Sequence, residues 1–147
     1  MRINMAEIWT DGSGFNGVNS CYCISKGQRN PPIFILEEER DHIFMECLAV
    51  LKALEQATSS DKLYSDCKTI LNLIDLGQGH ADKLINLMLQ EIKKLRDEKK
   101  CTLTWIPREQ NKAGIAIEKR LDQLREYRRQ CASGSFLKSR RKHAKIR

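Results

Sequence analysis

The chain has 147 residues, 41% of them hydrophobic, with a formal charge of +7. That is enough to bury one real core, and no apolar run approaches the about 18 residues of a membrane span. The charge is uneven: residues 1–118 hold 15 Lys/Arg against 17 Asp/Glu, a net −2, and residues 119–147 hold 11 against 2, a net +9. Alternation of apolar and polar residues predicts strands over 5–11 (MAEIWTD), 18–25 (VNSCYCIS) and 32–37 (PIFILE). The links GSGFNG and KGQRNPP are short, so these three strands should be antiparallel neighbours. Asp41 then caps a helix over about 42–58, with Phe44, Cys47, Leu48, Leu51 and Leu54 or Glu55 as its apolar stripe. KLYS is a short strand and KTILNLID a helix following at once. After a GQGH loop, residues 81–98 form an amphipathic helix with Leu84, Leu87, Met88, Ile92 and Leu95 on its apolar face. CTLTWI is the last strand, ended by Pro107, and a final helix runs over about 112–130.

The order is β-β-β-α-β-α-α-β-α. Strands reached through helical crossovers should run parallel to the first, which predicts an α/β fold with a mixed five-stranded sheet. The predicted division is one domain over 1–130 and a flexible basic tail over 131–147, a phosphate-binding arm. MRINMAEIW is too short and too quickly polar for a signal peptide. Six cysteines, at 21, 23, 47, 67, 101 and 131, form no Cys-x-x-Cys pair, and several fall inside apolar patterns. Reduced, mostly buried thiols and a cytoplasmic location are expected.

Three acids stand where acids are costly without a task. Asp11 ends the first strand in TDGSG, Asp66 ends the fourth in LYSDC, and Glu46 adjoins the helix stripe in FMECLAVL. Adjacent parallel strands would bring Asp11 and Asp66 to one sheet edge, and a helix laid over that edge could add Glu46. Singly, these residues also suit a turn, a helix cap and a solvated helix face. Together they suit an oxygen-only site for Mg²⁺ or Mn²⁺, and two such ions can drive phosphodiester hydrolysis.

TDGS at 10–13, MECLA at 45–49, SD at 65–66 and WIPREQNK at 105–112 resemble, in order, the motifs of the ribonuclease H type 1 family, in the subgroup that lacks a basic protrusion. The resemblance covers about residues 5–125. It implies a ribonuclease H-like sheet of order 3-2-1-4-5 and endonucleolytic cleavage of the RNA strand of RNA–DNA hybrids with two Mg²⁺ or Mn²⁺ ions. It also implies metal-ligand roles for Asp11, Glu46 and Asp66. No small-molecule cofactor or membrane is implied, and a monomer is expected. Nucleic-acid contacts are expected at Gly12, Ser13 and Asn16, at Arg108, Asn111 and Lys112, and at Lys138, Arg140, Arg141 and Lys142 of the tail.

The pattern departs at two places. The family carries a fourth acid four residues after the loop Asn, and counting from Asn111 gives Ile115. A one-residue gap would give Gly114 instead, but Ala116 would then replace the core residue Ile117. Either Glu118, one helical turn on, substitutes as the fourth catalytic and metal-binding acid, or the set is broken and the chain is a nucleic-acid-binding module. Hybrid-cleaving relatives also carry Thr-Asn-Asn before the helix acid, and here Ile43 and Phe44 stand in place of the amides. Structured RNA or branched DNA is therefore an alternative substrate. His80, in GQGH, is read as a residue that starts a helix.

Overall fold

The computed structural model describes residues 5–133. The backbone divides into two compact units, Met1–Ile117 and Glu118–Arg147. The first holds five strands in the expected order β3-β2-β1-β4-β5. Strands β1 (Glu7–Ser13), β2 (Ser20–Ser25) and β3 (Ile33–Leu36) are antiparallel neighbours, and β4 (Lys62–Ser65) and β5 (Thr102–Trp105) continue the sheet in parallel. Between them come α1 (His42–Gln56), α2 (Lys68–Leu76) and α3 (Lys83–Lys99). A single 3₁₀ turn, Arg108–Gln110, leads into α4 (Lys112–Ala132), whose residues from Glu118 onward belong to the second unit. That helix runs two residues past the predicted end. Within the second unit, Arg125 pairs with Asp122 at 2.8 Å and Arg129 with Glu126 at 2.6 Å, one turn apart on exposed faces.

Helices α1 and α3 both start at a carboxylate cap. The Asp41 carboxylate accepts from Phe44 N–H at 2.7 Å and opens α1; Asp82 accepts from Leu84 N–H at 2.8 Å and opens α3. His80 prepares that second start, its Nδ1 accepting from Asp82 N–H at 2.9 Å, as expected of it. Helix α1 lies on β1 and β2 and packs against α3, so it is enclosed on several sides. Its buried residues are Phe44, Met45, Glu46, Cys47, Ala49, Val50, Ala53 and Leu54, a wider arc than the predicted stripe, while Leu48 and Leu51 are only half-buried.

Helix α3 corrects the sequence reading. It buries Ile85, Met88, Leu89 and Ile92, whereas Leu84 and Leu87 are 43% and 61% exposed. Both sets satisfy helical spacing, so periodicity alone could not choose between faces one residue apart. All six cysteines are free thiols; four are buried and Cys67 and Cys131 are half-buried. Among the described residues no helix is long and apolar enough to cross a membrane.

Two contacts set the geometry around β1. A Cβ at Gly12 would overlap the backbone of Met45 and Glu46, so glycine allows α1 to lie directly on the strand. Ahead of β4, the buried Asp61 carboxylate accepts from Thr58 N–H at 2.8 Å, Ala6 N–H at 3.0 Å and the Thr58 hydroxyl at 3.1 Å, tying the approaches to β4 and β1 together. Burial pushes this carboxyl up, but the hydrogen bonds outweigh burial and leave its pKa below the ordinary 3.8.

Gly12→Ala is expected to cost at least about 2 kcal/mol in urea denaturation, because backbone would have to give way. Asp61→Asn should cost about 1–3 kcal/mol near neutral pH. A depressed folded pKa confers stability that is present above pH 3.8 and lost as pH falls through the folded value. The gap between wild type and Asp61→Asn should therefore narrow below about pH 4; a gap independent of pH would rule this account out.

Candidate metal centre

Parallel pairing of β1 and β4 aligns Ile8 with Leu63 and Trp9 with Tyr64. The same offset, carried two residues on, sets Asp66 opposite Asp11. Glu46 reaches the pair from α1. One carboxylate oxygen each of Asp11, Glu46 and Asp66 lie within 4.8 Å of one another, and among the described residues these three form the one group of potential metal ligands.

The Glu46 side chain is fully buried, with its two oxygens in different situations. Oε1 accepts from Gly12 N–H at 2.9 Å, and Oε2 is buried with no hydrogen-bond partner. An orphaned buried carboxylate oxygen is costly unless something pairs it. Burial first, and the neighbouring Asp11 carboxyl second, raise the Glu46 pKa far above the usual carboxylate range. Burial also raises Asp11, to about 6, with the Asp66 charge pushing the same way. Interaction with the Glu46 side chain first, and then with His42 and Arg108, acts in the opposite direction on Asp11. An all-oxygen donor set with one unpaired oxygen fits a hard divalent cation, which would relieve the repulsion and pair Oε2.

Asp66 is held at both ends. The Trp105 indole N–H donates to its backbone oxygen at 3.1 Å, with Lys68 Nζ lying 4.3 Å from the ring centroid. Asn111 Nδ2 donates to Asp66 Oδ2 at 3.1 Å and to Thr10 O at 2.9 Å. Lys68 and His42 carried no signal in the sequence; Thr10 and Trp105 lie inside the family-like stretches 10–13 and 105–112 without a role assigned to them, and Asn111 was expected there as a nucleic-acid contact.

The other expected site residues fall as follows. Gly12 faces α1 by its backbone, and Ser13 ends β1 opposite Cys21. Asn16 Oδ1 accepts from Val18 N–H at 2.9 Å and Asn19 N–H at 3.0 Å, shaping the loop after β1. Arg108 is exposed, and Lys112 Nζ sits 4.3 Å over the Trp9 ring. Asn111 is fully buried. Where relatives carry amides before the helix acid, Phe44 is buried under the Arg40 guanidinium, 4.4 Å from its ring centroid. Lys138, Arg140, Arg141 and Lys142 lie outside the described residues.

At the start of α4 the position that faces the acids is glycine. A Cβ on Gly114 would lie 3.4 Å from Asp11 Oδ2 and 3.4 Å from Asp66 Oδ2. Ile115 beside it is 53% exposed. Glu118, three residues further along the helix, is the first residue of the second unit and is half-buried.

A five-stranded mixed sheet of order 3-2-1-4-5, helices packed on it, an acid within β1 and another just past β4 define the ribonuclease H-like fold. A family model described as reverse transcriptase-like matches residues 36–120, more than half of the chain, and the chain belongs to that ribonuclease H-like family. Among solved structures it is similar to RNase H1 of the halophilic archaeon Halobacterium salinarum, with 16% identity, TM-score 0.63, and 82% of this chain and 99% of that one covered. It is also similar to the N-terminal RNase H domain of a Mycobacterium tuberculosis protein (11% identity, TM-score 0.59, 82% and 98% covered). A third is the compost-derived LC11 RNase H1 in complex with an RNA/DNA hybrid (19% identity, TM-score 0.54, 78% and 98% covered). No curated protein matches the sequence.

Mn²⁺ at 100-fold above its Kd should stabilise the wild type by about 2.7 kcal/mol in thermal or urea unfolding. Glu46→Gln should lose most of that increment. An unchanged Mn²⁺ response in this variant would exclude Glu46 as a ligand.

Proposed function

We propose that the chain is a divalent-cation-dependent endonuclease of ribonuclease H type that hydrolyses the RNA strand of RNA–DNA hybrids. The observation carrying this reading is the convergence of Asp11, Glu46 and Asp66, with a buried unpaired oxygen of Glu46 among them, at the edge of a ribonuclease H-like sheet. In this reading these three acids hold the Mg²⁺ or Mn²⁺ ions of a two-ion mechanism, and Glu118 is the fourth acid that the sequence offers. Bound there, the ions would supply an activated water and neutralise charge on the leaving oxygen of the phosphodiester.

The chain's own residues prepare the site. Gly12 N–H holds Glu46 by one oxygen and leaves the other for the cluster. Trp105 and Asn111 fix the Asp66 backbone and carboxylate. Arg108 and Lys112 grip phosphates beside the acids, Gly12, Ser13 and Asn16 border the substrate, and Lys138, Arg140, Arg141 and Lys142 add sequence-independent attraction. A hybrid substrate is supported by the LC11 relative in complex with an RNA/DNA hybrid. Six free thiols suit a reducing, cytoplasmic setting, and the enzyme acts as a monomer.

One observation favours a second reading, a nucleic-acid-binding protein impaired in cutting. The α4 residue facing Asp11 and Asp66 has no side chain, and its neighbour Ile115 is apolar and half-exposed.

Purified protein with Mn²⁺ or Mg²⁺ should cut the RNA of a hybrid. Asp11→Asn should lower the rate by more than about 100-fold, since even outer-shell losses at metal sites cost 10–100-fold. Salt-dependent binding with no cutting of hybrid, duplex RNA or branched DNA would establish the second reading.

A further inference from the structure

A buried primary amide must place two N–H donors and a carbonyl oxygen with two lone pairs. Asn111, fully buried, places all of them within the protein. Nδ2 donates to Thr10 O at 2.9 Å and to Asp66 Oδ2 at 3.1 Å. Oδ1 accepts from Ala113 N–H at 3.1 Å and from Gly114 N–H at 3.4 Å. Its backbone oxygen accepts from Ile115 N–H at 2.9 Å, the first bond of α4. No capacity is left for a nucleic acid, so the contact expected of Asn111 from its sequence position does not apply to this side chain.

These bonds join three separate parts of the site. Thr10 precedes Asp11 on β1, Asp66 follows β4, and Ala113 and Gly114 form the first turn of α4. That turn packs on the acids without a side chain of its own, since a Cβ on Gly114 would already be in van der Waals contact with Asp11 Oδ2 and Asp66 Oδ2. The Asn111 amide bonds an acid of the cluster directly. A neutral donor suits the task. It restricts rotation of the Asp66 carboxylate by holding one oxygen, and it leaves the negative charge available to a cation, which Lys or Arg at this point would neutralise.

We infer that Asn111 is a positioning residue of the metal centre: one end of its amide orients the Asp66 carboxylate toward Asp11 and Glu46, and the other caps α4. The inference rests on reading the three acids as a divalent-cation site. Groups of this kind, which touch a ligand rather than the ion, commonly alter metal affinity by 10–100-fold.

The two roles separate by substitution. Asn111→Ser keeps a good helix cap but is too short to reach Asp66. Asn111→Asp keeps the cap and the size but turns an oxygen toward Asp66 and Thr10 O. Mn²⁺ binding is measured by calorimetry and electron paramagnetic resonance on the full chain, with metal-free stability by urea denaturation. Asp61→Asn serves as the control destabilised far from the acids. Asn111→Ser should bind Mn²⁺ about 10-fold more weakly and Asn111→Asp weaker still, with Asp61→Asn binding as wild type does. If Asn111→Ser fails to fold, the comparison of Asn111→Asp with wild type decides. Mn²⁺ affinity at the wild-type level in a folded Asn111 variant overturns the inference and leaves Asn111 as a helix cap. Wild type that binds no Mn²⁺ overturns the metal site as well, so the two failures are distinguishable.

Discussion

Helix α1 rests on β1 with no side chain between them at Gly12, and the rest of the site depends on that approach. Any Cβ at this position would overlap the Met45–Glu46 backbone. The close approach lets the Gly12 N–H reach Glu46 Oε1 at 2.9 Å, which holds a carboxylate inside the protein by one oxygen. A helix lifted off the strand would leave Glu46 with no backbone donor. The sheet core and the acid cluster thus share one contact: α1 buries Met45, Ala49, Val50 and Ala53 on the same approach that delivers Glu46 to Asp11.

Burial disfavours charge within the acid cluster. Three carboxylates converge where burial already disfavours charge, and one oxygen has no partner. Folding carries this cost through hydrophobic burial around Ile8, Leu63, Ile70, Ile74 and Leu89, all 1% exposed or less. A cation in the cluster would return part of that stability. The thiols beside the acids do not contribute: Cys23 and Cys47 are both pushed up to about 12, chiefly by burial, and stay protonated.

The start of α4 is where this chain departs from the family pattern. A carboxylate is expected there in relatives, and here glycine faces Asp11 and Asp66 while the adjoining side chain is an exposed isoleucine. The segment still bonds the cluster, through the Asn111 amide. Glycine at this turn leaves Asp11, Glu46 and Asp66 together, with the Asn111 hydrogen bond to Asp66 at their side.

Local pattern determined much of this protein. Alternation and helical spacing gave the order of elements, and the cap at Asp41 follows from residue type. These properties depend on neighbours within a few residues, which is why they are legible without the fold; the family motifs then supplied the ligand reading. What the sequence could not supply depends on which surface meets which. Helix α3 had two admissible apolar faces, and packing against α1 and α2 chose the one with Ile85 and Leu89. Asn111 looked like a polar loop residue, but it meets Thr10 across 101 positions and Asp66 across 45. The same closure turned Gly114 toward the acids. Spacing along the chain carries no information about partners so distant, and only the closed sheet with α4 begun against it brings them together.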